Sequence, residues 1–166
     1  MTAPIVRDAR PEDLDAIVAI YNQTIPSRMA TADLDPIHPE QRAAWLNEHT
    51  PDHRPVWVAE RDGEVVGWLS VSPFRDRVAY DGTAEVSVYV DAGHRGEGVG
   101  WALLSRAVGH ASELHLNKLI GLIFGHNESS LKLFERAGFE RWGVLPGVCR
   151  LDDRDADVVI VGRSAP

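Results

Sequence analysis

Cysteine is nearly absent from this sequence: Cys149 is the only one in 166 residues. No intrachain disulfide can form, and nothing in the composition points to an oxidising compartment. Long apolar runs are missing too. The best, residues 65–71, is strand-sized and broken by Gly67, well short of the ~20 apolar residues a membrane-crossing helix needs. Clustered basic charge is lacking, since the net charge is −8 with acidic residues spread along the chain, so a nucleic-acid footprint is not expected. Residues 1–11 carry both charge signs, unlike a signal peptide. The expectation is a cytoplasmic protein with neither nucleic acid nor membrane as partner. The seven histidines are scattered, and His49 and His53 straddle Pro51 rather than share a helical face, so no metal site is expected. Internal repeats and low-complexity segments are absent as well.

What the sequence does hold is apolar material for one core. At 44% hydrophobic content over 166 residues, a single domain spanning 1–166 is the default. Residues 5–7 read as a short strand, and Pro11 opens a helix in which Leu14, Ile17, Val18 and Tyr21 recur at helical spacing until Pro26. Residues 27–39 hold turn formers and little period, the mark of an irregular lid or connector. A second helix runs from Pro39 to about Glu48. Two β-branched and aromatic runs, 56–60 and 64–71, flank Arg61-Asp62-Gly63, a hairpin signal. A loop over 73–82 carries Phe74, Arg75, Arg77 and Tyr80. In the strand over 84–90, Glu85, Ser87 and Tyr89 share one face, and Val86, Val88 and Val90 the other.

Val99, Leu103, Ala107 and Val108 then mark a helix to about Leu114. Residues 118–124 form the apolar run expected of a parallel strand buried on both faces. Asn127 caps a helix ending at Gly138, and strands over about 139–150 and 157–162 close the chain. This order predicts an α/β sandwich whose strand-helix-strand unit crosses over right-handedly.

Between the 84–90 strand and its following helix lies Arg95-Gly96-Glu97-Gly98-Val99-Gly100. A strand, a glycine-rich turn and a helix in that order make an anion cradle. The first-turn N–H groups of a helix lack internal partners and carry partial positive charge, which suits phosphate oxygens. Glycines let a diphosphate approach the main chain and permit positive φ, and Arg95 adds a charge-assisted contact. Two other phosphate loops fail by inspection. Gly93 and Gly98 have P-loop spacing, but Val99 and Gly100 stand where the lysine and hydroxyl belong. The dinucleotide fingerprint needs glycine where Trp101 is. Arg-x-x-Gly-x-Gly remains, at the carboxyl end of a strand, where open sheets bind ligands.

With that cradle the sequence resembles the GNAT superfamily of acyl-CoA-dependent N-acetyltransferases. Further blocks are similar to phosphinothricin N-acetyltransferases: Phe74-Arg75-Asp76-Arg77-Val78-Ala79-Tyr80, Thr83-Ala84-Glu85-Val86-Ser87-Val88-Tyr89-Val90, Asn127-Glu128-Ser129-Ser130-Leu131, Tyr21-Asn22 and Gly138-Phe139. The resemblance implies a mixed, mostly antiparallel sheet flanked by helices, with a strand-helix-strand acetyl-CoA-binding core. It also implies acetyl-CoA as co-substrate without a metal, a small-molecule amine as acceptor, and a homodimer. Amides of Arg95, Gly96, Glu97, Gly98, Val99 and Gly100 would take the diphosphate. Val88, Tyr89 and Val90 would pair with the pantetheine arm, one of their N–H groups serving the acetyl oxygen. Asn127 would bond the arm or act only as a helix cap.

Amine attack on a thioester needs a proton acceptor. Glu85 takes that role directly or through water, or binds the substrate as its cation's partner and directs the proton to water, its other reading being a solvated strand residue. Arg75 and Arg77 suit an anionic substrate, with Phe74 and Tyr80 as walls, unless they are solvated or hold a dimer contact. Two departures stand out. Phe134 occupies the place of a tyrosine that protonates the thiolate in many relatives, and Val148-Cys149-Arg150-Leu151-Asp152 replaces a segment containing lysine and tryptophan. Cys149 itself lies in a strand without a histidine motif and reads as structural. Phosphinothricin, methionine sulfoximine or a similar molecule is the expected acceptor. A protein amino terminus, a lysine, a polyamine, or a non-catalytic acetyl-CoA-binding module are the alternatives.

Overall fold

A computed structural model describes residues 2–166. The elements are β1 (Ile5–Asp8), α1 (Leu14–Gln23), α2 (Pro39–Glu48), β2 (Val56–Arg61), β3 (Glu64–Pro73), β4 (Thr83–Val90), α3 (Val99–His110), β5 (Lys118–Phe124), α4 (Glu128–Arg136), β6 (Glu140–Leu151) and β7 (Arg154–Ser164). They form one seven-stranded sheet in the order β1-β2-β3-β4-β5-β7-β6. Every pairing is antiparallel except β4 with β5. The predicted α/β class and element order hold. No helix among the described residues is long and apolar enough to cross a membrane.

Local chemistry explains the boundaries. Pro11 starts a single 3-10 turn rather than the α-helix itself, because Asp13 first accepts from the Arg10 N–H at 2.7 Å and pairs with Arg7 at 2.8 Å. Helix α1 ends at Gln23, ahead of Pro26, where the Thr24 hydroxyl caps back onto the Tyr21 carbonyl. The β2–β3 hairpin turns on Asp62 and Gly63, with φ of 53° and 83°, the paired left-handed geometry that matches strand twist. Strand β7 begins three residues earlier than the sequence suggested, since Arg154 and Asp155 pair with Leu151 and Arg150 across a tight turn.

Two apolar layers sandwich the sheet. Leu69, Val71 and Val86 meet Leu103, Leu104 and Phe134 of α3 and α4 on one face. Trp68 and Val58 meet Ile17, Tyr21 and Leu46 of α1 and α2 on the other. Strand β5 is buried on both faces as expected, at Leu119 and Ile123 on one and Ile120 and Phe124 on the other, except at Leu122, which is 45% exposed.

Two glycines set how closely the helices pack. A Cβ at Gly67 would lie 2.7 Å from Val99 Cγ1, and one at Gly121 would lie 2.8 Å from Phe134 Cε1. The start of α3 and the last turn of α4 therefore rest directly on the backbone of β3 and β5. Between those helices the β4–β5 ladder holds only for Thr83–Lys118, Ala84–Leu119 and Glu85–Ile120. Beyond Glu85, β4 pairs with β3 alone, and beyond Ile120, β5 pairs with β7 alone.

Candidate active site

The end of that short ladder creates the site. Along 86–90 the outward N–H and C=O groups of β4 have no strand partner, a free edge of the kind an extended chain can join. The edge runs directly into the cradle. Gly96 and Gly98 have φ of 75° and 83°, a region that side chains resist, while at Gly100 the Cβ position is a tight 3.0 Å from Leu133 Cδ2. The first bond of α3 runs from the Ala102 N–H to the Gly98 carbonyl at 3.0 Å, which leaves the 99–101 amides unspent by the helix.

Free edge and amides share one cavity of about 510 Å³. Val88, Tyr89, Val90, Arg95, Gly96, Gly98, Val99, Gly100 and Asn127 all line it. Such a donor set, elongated from helix start to strand edge, fits a diphosphate followed by an amide-bearing arm. Glu97 is the exception. Its carboxylate turns to Arg61 at 2.5 Å, which neutralises an acid that would otherwise oppose an anion. Asp91, just before the cradle, accepts from Gln23 Nε2, His94 Nδ1 and the Gly93 N–H at 2.8–3.0 Å. The bonds from Gln23 and His94 hold its carboxyl below the usual range and tie α1 to the cradle.

Glu85 does not line that cavity. It stands half-buried on the β4 face shared with Ser87 and Tyr89. Burial pushes its carboxyl above the ordinary value, opposed by a hydrogen bond from Ser87, so desolvation makes it a stronger base when ionised. The Tyr89 ring stacks on Trp68 at 4.6 Å and meets Tyr21 edge-on at 5.2 Å. Burial raises its phenol as well, so Tyr89 remains a neutral donor rather than a phenolate.

Arg75, Arg77 and Tyr80 line a separate open hollow beside Asp76, on the loop that leads into the Glu85 end of β4. Phe74 packs between the Tyr80 ring at 5.8 Å and the Arg75 guanidinium at 5.4 Å. Arg54 donates to the Asp81 carbonyl at 2.6 Å and braces the same loop. Asn127 does cap α4, its Oδ1 accepting from the Ser130 N–H at 3.2 Å. Its Nδ2 donates to the Met29 carbonyl at 2.9 Å, and His126 Nε2 reaches the Arg28 carbonyl at 2.8 Å. The connector after α1 is thus held over the cavity, where Thr24, Met29 and Ala30 form a wall.

Those connector residues, with His94, Trp101 and Arg136, are cavity residues that motif reading missed. Arg136 lies 4.1 Å over the Trp101 ring. The only available signal was negative: the aperiodic connector had no other job. Phe134 is buried edge-on against Phe139 at 4.9 Å and stays off the cavity wall. Cys149 is half-buried and packs on the small cluster of Phe124, Leu151 and Ala156. No group of three or more metal-ligating side chains occurs among the described residues.

Comparison with known proteins adds a frame to this geometry. The family model described as Acetyltransferase (GNAT) family matches residues 15–139. The Bacillus subtilis protein named putative phosphinothricin acetyltransferase YwnH is 49% identical, over 95% of this chain and 97% of its own. An L-methionine sulfoximine/L-methionine sulfone acetyltransferase of Pseudomonas aeruginosa is 33% identical, over 97% and 98%. The crystal structure of a phosphinothricin acetyltransferase from Sinorhizobium meliloti, in complex with acetyl-CoA, superposes with a TM-score of 0.93 at 32% identity, covering 99% of this chain and 89% of that one. The chain is therefore an N-acetyltransferase of the GNAT family, in its phosphinothricin N-acetyltransferase-like branch.

Proposed function

We propose that this chain transfers acetyl from acetyl-CoA to the amino group of a small amino-acid-like substrate, of the phosphinothricin or methionine sulfoximine kind, by direct attack in a ternary complex. One observation carries the reading: a single cavity joins the unspent α3 amides to the free edge of β4, and that strand also bears the half-buried Glu85. The names of the relatives support the substrate class.

In this reading the amides around Gly96–Gly100, with Arg95, hold the diphosphate. Alternate backbone groups of Val88, Tyr89 and Val90 align the pantetheine arm and meet the charge that develops on the acetyl oxygen. Asn127 acts by holding Met29, and with it the cavity wall. Glu85 takes the proton of the attacking ammonium, a requirement because alkyl amines are protonated at neutral pH. Arg75 and Arg77 grip the acceptor's anionic group from the loop beside Glu85. A thiol has a pKa of about 8.5, so its thiolate leaves readily and solvent reprotonates it, consistent with Phe134 offering no hydroxyl. The exposed Trp142, Val144, Leu145 and Val148 of edge strand β6 favour a homodimer, which light scattering would measure.

A thiol-release screen over amino-acid analogues, peptides and polyamines tests the substrate class. Release with phosphinothricin or methionine sulfoximine, weakened by Arg75→Ala or Arg77→Ala through KM, is the expected result. Turnover only with peptides or polyamines would replace the substrate class, and acetyl-CoA binding without release on any amine would replace the enzyme by a binding module.

A further inference from the structure

The fate of the proton on Glu85 is not settled by the base alone. A base that takes the amine's proton must give it up before the next turnover, so each cycle needs a route for that proton. The β3–β4 register supplies a candidate route. Ser72 pairs directly with Glu85, and direct antiparallel partners leave the same face with Cβ atoms about 4.5–5.5 Å apart. The pair Trp68–Tyr89, on the same strands, confirms the shared face by its ring stacking.

His49 lies over this strip at the end of α2. Its Nδ1 is 2.7 Å from the Trp45 carbonyl and its Nε2 is 3.1 Å from Ser72 Oγ. A carbonyl only accepts, so Nδ1 carries the hydrogen and the Nε2 lone pair faces the serine hydroxyl, which must then donate to it. The ring is further fixed by the Trp45 indole at 4.6 Å. Ser72 Oγ retains lone pairs to accept from Glu85, whose carboxylate is bonded to Ser87 on its own strand and must turn across the strand pair to reach Ser72. The other titratable or charged groups along this face are Tyr89 on β4, Tyr21 on α1, Asp33 on the connector and Arg42 on α2. Tyr21 donates to Asp33, and Arg42 stacks on Tyr21 and Trp45. None of these is a neutral nitrogen base, whereas an imidazole ring carries both an acceptor and a donor nitrogen.

We propose that Ser72 and His49 form a proton relay that resets Glu85 after each acetyl transfer. The inference rests on the assignment of Glu85 as base. Glu85 carboxylate takes a proton from the substrate ammonium. The new carboxyl O–H then breaks as a bond forms to Ser72 Oγ, while the serine's own proton moves to His49 Nε2. The part-exposed imidazolium then loses its Nε2 proton to solvent, and the serine hydroxyl turns back towards that nitrogen, which restores the starting tautomer. Net, one proton passes from amine to bulk and no group is consumed. His49 and Ser72 are positioning and relay residues that act through Glu85.

Ser72→Ala and His49→Asn test the relay. Asparagine keeps an N–H for the Trp45 carbonyl but offers nothing at the Nε2 position. Each variant is expected to lower kcat about tenfold, below the range of a direct general base, with KM for acetyl-CoA unchanged. Imidazole added at increasing concentration should restore the rate of both variants at pH 7, whereas Glu85→Gln should not respond. Wild-type turnover in both variants, or slow turnover indifferent to imidazole, overturns the relay while leaving Glu85 as base if Glu85→Gln is inactive. Full activity of Glu85→Gln overturns the base assignment and the relay together.

Discussion

The two halves of β4 differ only in what lies beside them. From Thr83 to Glu85 the strand is paired on both edges, with β3 and β5. From Val86 to Val90 it is paired on one. Both halves obey the same alternation of polar and apolar residues, so the difference does not arise within the strand. Beside the open half, α3 rests on Gly67 and α4 on Gly121, and a cavity lined by the cradle and Asn127 stands where β5 would pair. The closed half holds a carboxylate half out of water. The open half presents backbone groups to a cavity, and in the proposed function this single strand holds acyl donor and base in fixed relation.

Glu85→Gln is the sharpest way to break this pairing of roles. Turnover should fall at least about a hundredfold, the low end for a general base, with acetyl-CoA affinity by calorimetry unchanged because Glu85 is off the cavity wall. The same substitution should raise thermal stability at neutral pH. Glu85's folded pKa lies above its unfolded value, so the folded state is favoured by protonation below the unfolded pKa and loses that advantage as pH rises through the folded one. The melting-temperature gap between variant and wild type should therefore be absent near pH 4 and open as pH rises towards 7. Equal melting temperatures at both pH values would show that burial does not strain the carboxylate.

Gly67→Ala attacks the open half through its support. The added Cβ meets Val99 Cγ1 at 2.7 Å and the Tyr89 carbonyl at 3.1 Å, so α3 must lift. Overpacking of this kind costs about 1–3 kcal/mol, and displacing the helix start should raise KM for acetyl-CoA more than it lowers kcat. Chemical denaturation and steady-state kinetics read the two effects separately.

How much of this was legible depends on whether a residue's role is set by its neighbours in sequence or in space. The geometry of the cradle was readable because its glycines, strand and helix are contiguous, and so was the placement of Glu85 on the strand that feeds them. Gly67 was visible as an interruption, but its purpose depends on Val99, which only folding brings beneath it. Glu97 was placed among the anion-binding amides, and its side chain is instead neutralised by Arg61 from β2, a pairing no local pattern records. The connector wall at Thr24, Met29 and Ala30 carries no motif, since Asn127 and His126 hold it by its backbone carbonyls, which any residue supplies.

Asn127→Ala tests that last point. Losing the cap should cost about 1 kcal/mol, a drop of about 2–4 °C in melting temperature for a chain of this size. Losing the bond to the Met29 carbonyl should free the connector. The expected kinetic signature is a higher KM for acetyl-CoA with little change in kcat. A fall in kcat at constant KM would instead assign Asn127 a direct part in the chemistry.

The smallest effect belongs to the outer tether of the same connector. Arg28 grips Asp152 with Nε and Nη2 at 2.8 and 3.0 Å, and the same guanidinium donates to the Ile25 and Leu34 carbonyls. The pair is on the surface, where screening by water and salt leaves little net stabilisation. Arg28→Ala and Asp152→Ala should therefore leave the melting temperature unchanged and differ from each other in function. Asp152→Ala removes only the ion pair, whereas Arg28→Ala also releases the two carbonyls that shape the turn above the cavity. A rise in KM for acetyl-CoA in Arg28→Ala, smaller than that of Asn127→Ala and absent in Asp152→Ala, would show that the wall over the open half of β4 is held by hydrogen bonds to its backbone and not by surface charge.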